Sequence, residues 1–289
     1  MAEALLSDTG GVATLVGDPP NVLIATSASF TFIDFLTHAL PVVVIAWLSA
    51  MLLLRIMFRH ELDAPVPNQE AVMSFVPMEA LKDWLTARKV IIVVVLAIIF
   101  FLLEDILGIS PAFVALAAAT VSLVWVRPDV NETLKHVEWS VLVFFASLFI
   151  IVGGLEASGT LHLVTKLLIP GDGVSPQILG IVFIWAVAVM SAVVDNVPIT
   201  IALIPVIVEL GANSLNTTPL YWALVFGAGF GGNATIIGSS ANIVVASLSE
   251  RTRDPITAKL WSKTGLPVML ATCAVASLFF LLAYPLFSY

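Results

Sequence analysis

Two aspartates and a set of asparagines stand where an apolar chain has no ordinary use for them. Asp18 lies in Gly17-Asp-Pro-Pro-Asn21 and Asp195 in Ser191-Ala-Val-Val-Asp-Asn-Val-Pro198, each flanked by stretches apolar enough to enter hydrocarbon. An ionisable group at membrane depth is costly and marks an ion or proton path. Either carboxylate can offer a hard oxygen to Na+ or take up a proton. Asn21, Asn196 and Asn242 donate and accept hydrogen bonds without carrying charge into the membrane. Plainer readings stand beside these. Asp195 could cap the N–H groups of a local turn, and Asp-Pro-Pro is ordinary turn chemistry.

The asparagines belong to a repeated frame. Gly227 to Ala246 puts glycines and two asparagines, Asn233 and Asn242, inside a segment otherwise apolar enough to cross a membrane. Each interior glycine costs a helix roughly 1 kcal/mol relative to alanine, and Ser and Asn side chains compete for backbone hydrogen bonds, so the centre is predicted to unwind. Unwound backbone at membrane depth survives where it is buried in protein or lines a polar cavity; the alternative is a glycine-lined packing face between helices. Residues 10–25 align without a gap on residues 231–246 at a constant offset of 221, with seven of sixteen positions identical. Asp18 then corresponds to the uncharged Ser239, and Asn21 to Asn242. Paired glycine-interrupted apolar segments in two halves of a chain point to the substrate site of a secondary transporter.

The rest of the composition agrees. The 289 residues are 60% hydrophobic and 11% charged, with a mean hydropathy of +1.06, which marks a polytopic membrane protein. No basic nucleic-acid-binding face is present, the single Cys273 excludes an internal disulfide, and the N-terminus carries no visible signal peptide. His136 and His162 have no partner at metal-ligand spacing and read as interfacial, as do Glu104 and Asp105, although a buried proton relay at the two acids is the alternative.

Taken in order, residues 1–59 hold the first glycine-rich loop, a half-helix from Asn21 to Ser29 and a span from Ile33 to Phe58. Residues 60–89 form a polar linker. Residues 90–289 then supply spans at 90–107, 111–126 and 139–156, a hairpin at 176–210, a broken helix at 221–246 and a last span at 265–285, with a polar interfacial stretch from Glu250 to Lys263. About 20 apolar residues are needed to cross hydrocarbon. Counted from Ile199, the second limb of the 176–210 segment has only 12, so a re-entrant hairpin is predicted over a full span followed by a turn. Eleven Lys and Arg residues then fall on one side and only Lys166 on the other. That asymmetry places the N-terminus and the 60–89 linker in the cytoplasm of a multi-pass protein of the plasma (inner) membrane.

Three motifs carry a family resemblance: Ser191-Ala-Val-Val-Asp-Asn-Val-Pro198, Gly231-Gly-Asn-Ala-Thr-Ile-Ile-Gly-Ser-Ser-Ala-Asn242 and Gly17-Asp-Pro-Pro-Asn21. Together they resemble the ion transporter superfamily, nearest to the ArsB/NhaD permeases and the melanosomal P protein, and more distantly the INDY-like dicarboxylate carriers. The resemblance implies an all-α inverted-repeat transporter with a re-entrant hairpin and broken helices. It implies substrate or ion binding at Asp195 and Asn196 on the hairpin tip, at Thr14, Gly17, Asp18 and Asn21 in the first loop, and at Asn233, Thr235, Gly238, Ser239 and Asn242 in the second. A Na+ ion would fall to Asp195, Asn196 and Asn242; apart from Na+ or H+ as coupling ion, no cofactor is implied. Carboxylate carriers have Ser-Asn-Thr at the tip where this chain has Asp195-Asn196-Val197, which points away from a di- or tricarboxylate.

The function these readings imply is a secondary transporter of an inorganic ion or small anion, arsenite/anion permease-like and coupled to Na+ or H+, with Na+/H+ antiport as the alternative. Its partners would be membrane lipid and the transported ion. The sequence looks N-terminally truncated beside a complete relative, because only nine residues precede Gly10. An inactive fragment, a subunit needing a partner, or a homodimer is therefore a further reading, with the region before Ser29 expected to pack poorly. Val16-Gly17-Asp18 partly matches an intramembrane aspartyl protease signature, but Leu15 stands where its first glycine belongs.

Overall fold

The structure is a computed structural model describing residues 1–63, 83–137, 139–159, 175–212, 215–250, 252 and 254–289. Among the described residues every regular element is helical. Four helices among the described residues are long and apolar enough to cross a membrane: Phe32–Met57 (α3), Trp84–Leu102 (α4), Pro176–Val194 (α7) and Ala258–Leu282 (α11). Ala2–Gly11 (α1) and Pro19–Ala28 (α2) precede them, and Pro111–Val126 (α5), Trp139–Ala157 (α6), Asn196–Ala212 (α8), Thr218–Gly231 (α9) and Ser240–Ser249 (α10) lie between them. The protein is an all-α polytopic membrane protein.

Two compact units divide the chain. His60–Phe144 forms one, and Met1–Arg59 with Phe145–Tyr289 forms the other. In the smaller unit α4 packs on α5. Helix α4 begins earlier than the hydropathy suggests, so residues 84–89, predicted as linker, are helical. The cause is Asp83, whose carboxylate accepts from the Thr86 hydroxyl at 2.6 Å and from the backbone N–H groups of Leu85 and Thr86. Those bonds start the helix and hold the Asp83 carboxyl below its ordinary range, the Thr86 hydroxyl contributing most.

The larger unit is built around α9, in which every residue from Pro219 to Gly231 is buried. A helix apolar on all sides needs neighbours on all sides. Helices α7, α8, α2 and α11 supply them. Gly227 and Gly231 let α7 approach: a Cβ on Gly227 would stand 2.7 Å from Val187, and one on Gly231 2.6 Å from Ala188. The glycine-lined packing face and the unwound loop are therefore both present, the first on α9 and the second beyond it.

Two further boundaries differ from the sequence reading, as does the packing of the N-terminal region. Helix α8 starts at Asn196 and runs 17 residues, because Asn196, Val197 and Pro198 are its first turn and not a linker. At 17 residues α8 exceeds the 12 counted from Ile199 but remains shorter than the four helices long enough to span. Helix α11 begins at Ala258, capped by the Thr257 hydroxyl, so Lys259 and Lys263 ride on its first turns instead of an interfacial stretch. The region before Ser29 is well packed, with Leu5, Val12, Leu15 and Ile24 at most 1% exposed. Leu5 joins Ala50, Leu54, Trp261 and Val268 in one core cluster, and that burial offsets the cost of ordering a short helix.

Candidate functional site

Both repeats break in the same way. Helix α1 ends at Gly11, and the chain crosses a gap and restarts as α2 at Pro19. Helix α9 ends at Gly231, passes through two short 3-10 turns and restarts as α10 at Ser240. The residue before each restart is extended: Asp18 at φ −145°, ψ 139° and Ser239 at φ −152°, ψ 142°.

One asparagine closes each gap. Asn21 Nδ2 donates to the carbonyls of Gly11 at 3.1 Å and Thr14 at 2.8 Å. Asn242 Nδ2 donates to those of Gly232 at 2.9 Å and Thr235 at 3.2 Å, the same two positions after the offset of 221. Breaking a helix orphans its last carbonyls, and a neutral amide satisfies them without adding charge. Glycine is required where the gap folds on itself. A Cβ on Gly238 would lie 2.5 Å from the Gly232 carbonyl oxygen, and one on Gly17 would collide with that of Gly11.

The tip between α7 and α8 meets both loops. Asp195 is the only residue between the two helices and sits at φ 95°, ψ 147°. Non-glycine residues seldom occupy that region, and when they do they cluster at functional sites. Asp195 Oδ1 accepts from the Val197 N–H at 3.2 Å, so the capping reading is realised as well. Asn196 Nδ2 donates to Asp18 Oδ2 at 2.9 Å, across 178 positions of sequence. On the other side, Thr235 Oγ1 donates to the Ala192 carbonyl at 2.5 Å. Ser191 Oγ, one turn before the tip, donates to the Ala228 carbonyl at 2.8 Å.

Asp18 reaches the tip because its own helix leaves it nothing to cap. Pro19 and Pro20 have no N–H, and the Asn21 N–H is taken by the Asp18 carbonyl at 3.0 Å. The Asp18 side chain makes no capping bond and turns outward to Asn196. Ser239 likewise makes no capping bond, and its Oγ donates to Asp8 Oδ1 at 2.9 Å.

Asp8 is absent from the sequence-derived set, as is Thr9. Asp8 lies on α1 and is 7% exposed; Thr9 Oγ1 donates to the Leu5 carbonyl at 2.7 Å and accepts from Asn233 Nδ2 at 3.0 Å. The usable signal was an acid two residues before the Gly10-Gly11 break on an apolar half-helix. Asn242, expected beside Asp195 and Asn196, spends its amide on its own loop. Among the described residues no group of three or more His, Cys, Asp or Glu side chains has metal-holding geometry. His136 is exposed and Cys273 buried, while His162 lies outside the described residues.

The profile of the citrate transporter family, CitMHS, matches residues 1–227. The chain belongs to that family. This CitMHS-family chain is 32% identical over 287 residues to a 46 kDa membrane protein of Mycobacterium leprae, covering 98% of itself and 67% of that protein. It is 34% identical over 288 residues to an uncharacterized transporter of Mycobacterium tuberculosis, with the same shares covered. It is 26% identical over 368 residues to the P protein of Sus scrofa, covering 98% of itself and 43% of the relative. The chain thus spans about two thirds of the length of its mycobacterial relatives. The superfamily resemblance and the P protein likeness agree with this membership. A CitMHS-family chain is an integral membrane transporter and not an enzyme, which sets aside the aspartyl protease reading.

Proposed function

We propose that this transporter moves an inorganic ion or small anion through a site enclosed by the Asp195-Asn196 tip and the two gaps, with movement coupled to Na+ or H+. The observation that carries the reading is the hydrogen bond from Asn196 to Asp18 at 2.9 Å. It joins the tip to the opposite repeat at the one position where a half-helix start bears a carboxylate. Secondary transporters place coupling ions where unwound carbonyls and half-helix ends meet. The tip is read as lying at the depth of both loops, as a re-entrant hairpin requires. The N-terminus and the 60–89 linker face the cytoplasm, on the strength of the eleven-to-one distribution of basic residues.

Charge narrows the substrate. Segments 8–21, 191–198 and 232–242 hold Asp8, Asp18 and Asp195 and no Lys, Arg or His. Three acids repel a polyanion that arrives without a counter-charge, and Pro19 and Pro20 deprive α2 of the N–H groups that would bind one. An anion therefore enters this site with a cation, and the family's citrate, whose name comes from the family description, would have to do the same. The same acid-rich, base-free lining favours Na+/H+ exchange as a second reading.

Proteoliposomes containing the purified chain separate these readings. Uptake of radiolabelled arsenite or citrate is followed under an imposed Na+ or pH gradient, and lumenal pH is followed after a Na+ pulse. Gradient-driven uptake abolished by Asp195→Asn, with insertion intact, is expected. A Na+-evoked pH change without anion uptake selects the exchanger. Flux indifferent to both gradients and to Asp195→Asn would overturn the proposal.

A further inference from the structure

The smaller unit carries a groove that the ion site does not use. It lies between α4 and α5, has a volume of about 210 Å³, and is lined by aliphatic and aromatic side chains of residues 93–125. The sequence accounts for the hollow. Val93, Leu96, Ala97 and Phe100 follow the i, i+3, i+4, i+7 spacing that puts one stripe of α4 toward α5. Val93 and Val114 are buried where the two helices meet. Ala97, Ala117 and Ala118 contribute only methyl groups to the lining, whereas Phe100, Phe113 and Trp125 are bulky and exposed, so space is left between them.

Charge is distributed unequally along this groove. Lys89 lies one helical turn before Val93 on the same stripe, and its Nζ donates to the Trp125 carbonyl at 3.2 Å, which brings the start of α4 and the end of α5 to one mouth. That bond uses one of the three ammonium donors and leaves two for a ligand. Arg88 precedes Lys89 and Arg127 ends α5, both exposed. The acids nearby are engaged. Asp83, within electrostatic reach of Lys89, accepts from the N–H groups of Leu85 and Thr86; Asp129 accepts from those of Asn131 and Glu132; Glu132 pairs with Lys135 at 2.6 Å. Toward the other mouth, residues 100–113 hold Glu104 and Asp105 and no Lys, Arg or His. A ligand matching this pattern has a negative head and an apolar tail. From Val93 to Phe100 the groove extends roughly 10 Å at 1.5 Å per residue, within the about 15 Å of half a hydrocarbon core. A spanning helix would need the full thickness, and a second copy of this chain would bring the same three bases to the same depth.

We propose that the groove between α4 and α5 holds one acyl chain of an anionic phospholipid, whose phosphate is bound by Lys89 with Arg88 and Arg127. The second acyl chain stays in the bilayer. Long basic side chains keep their stems on apolar surface while the charged head reaches the interface, and bases beside a span attract anionic lipid. On the orientation proposed above, this mouth meets the cytoplasmic leaflet. The site itself needs only the charge of the headgroup and stands whichever ion is carried.

The test is native mass spectrometry of the purified full chain, titrated in detergent with dioleoyl phosphatidylglycerol or dioleoyl phosphatidylcholine, which share their tails and differ in net charge. Wild type is expected to bind phosphatidylglycerol the more tightly. Lys89→Gln should weaken phosphatidylglycerol binding roughly fivefold, the worth of one base near an anionic headgroup, and affect phosphatidylcholine less. Ala118→Phe fills the groove without touching charge and should weaken both lipids; Ala97→Leu, a smaller filling, serves if that variant fails to fold. Equal affinities for the two lipids in wild type would overturn the proposal, as would a phosphatidylglycerol affinity untouched by Lys89→Gln or by filling the groove. A dimer that forms without lipid and is lost on filling the groove would make a second copy the occupant and overturn it too. None of these outcomes bears on ion coupling, which is read separately in proteoliposomes.

Discussion

Replacing Asn242 by alanine removes the donor that closes the second gap. The Gly232 carbonyl loses the amide at 2.9 Å, and an orphaned buried acceptor costs about 1–3 kcal/mol. The Thr235 carbonyl loses a second bond but keeps the Gly238 N–H at 3.3 Å, so its share is about 1 kcal/mol. Alanine returns roughly 0.5 kcal/mol through helix propensity at the start of α10, leaving a net loss of about 1.5–3.5 kcal/mol. A chain of this size loses about 2–4 °C of melting temperature per kcal/mol, so thermal unfolding in detergent should show a drop of about 3 °C or more. Asn242→Asp discriminates the cause. It keeps the volume but faces two carbonyls with acceptors, so it should destabilise at least as much as alanine. If Asn242→Asp melts close to wild type while Asn242→Ala does not, the residue acts by filling space and the gap-closing argument fails.

Asn21→Ala should cost a similar amount, because its two bonds go to the corresponding carbonyls; a melting temperature equal to wild type would break the equivalence of the repeats. Gly238→Ala should abolish transport and lower expression, since its Cβ would press on the Gly232 carbonyl oxygen at 2.5 Å; flux at wild-type level in proteoliposomes would contradict the close approach. Ser191→Ala, which leaves the Ala228 carbonyl without its hydroxyl donor, should lower stability by about 1 kcal/mol, read as a melting shift of a few degrees.

The repeat, the two gaps and the residues within them were legible because glycine and asparagine are conspicuous in apolar sequence, and because a constant offset relates the two copies. The packing of Gly227 and Gly231 against α7 was legible only as an alternative, since small residues mark close approach without saying to what. The starts of α4, α8 and α11 were misplaced for one reason: hydropathy follows apolar runs, whereas Asp83, Asn196 and Thr257 are polar residues at or just before a helix start. Asp8 was overlooked because its role comes from Ser239, 231 positions away, and nothing in residues 1–9 announces that partner. The N-terminal region was expected to pack poorly because only nine residues precede Gly10; the contacts that α1 makes with α3 and α11 are invisible in a linear reading.

The account's central claim is that the tip and the two gaps enclose one ion site, and the Asn196–Asp18 bond joins the tip to the first of them. A double-mutant cycle on Asp18→Asn and Asn196→Ala, read as initial transport rate across a series of Na+ concentrations and pH values, tests it most directly. Residues sharing one hydrogen bond and one ligand couple by about 0.5–3 kcal/mol. The double variant should therefore be little worse than either single one, with the dependence on the coupling ion lost in all three. Rates that combine additively, with Na+ and pH dependence unchanged, would contradict the claim.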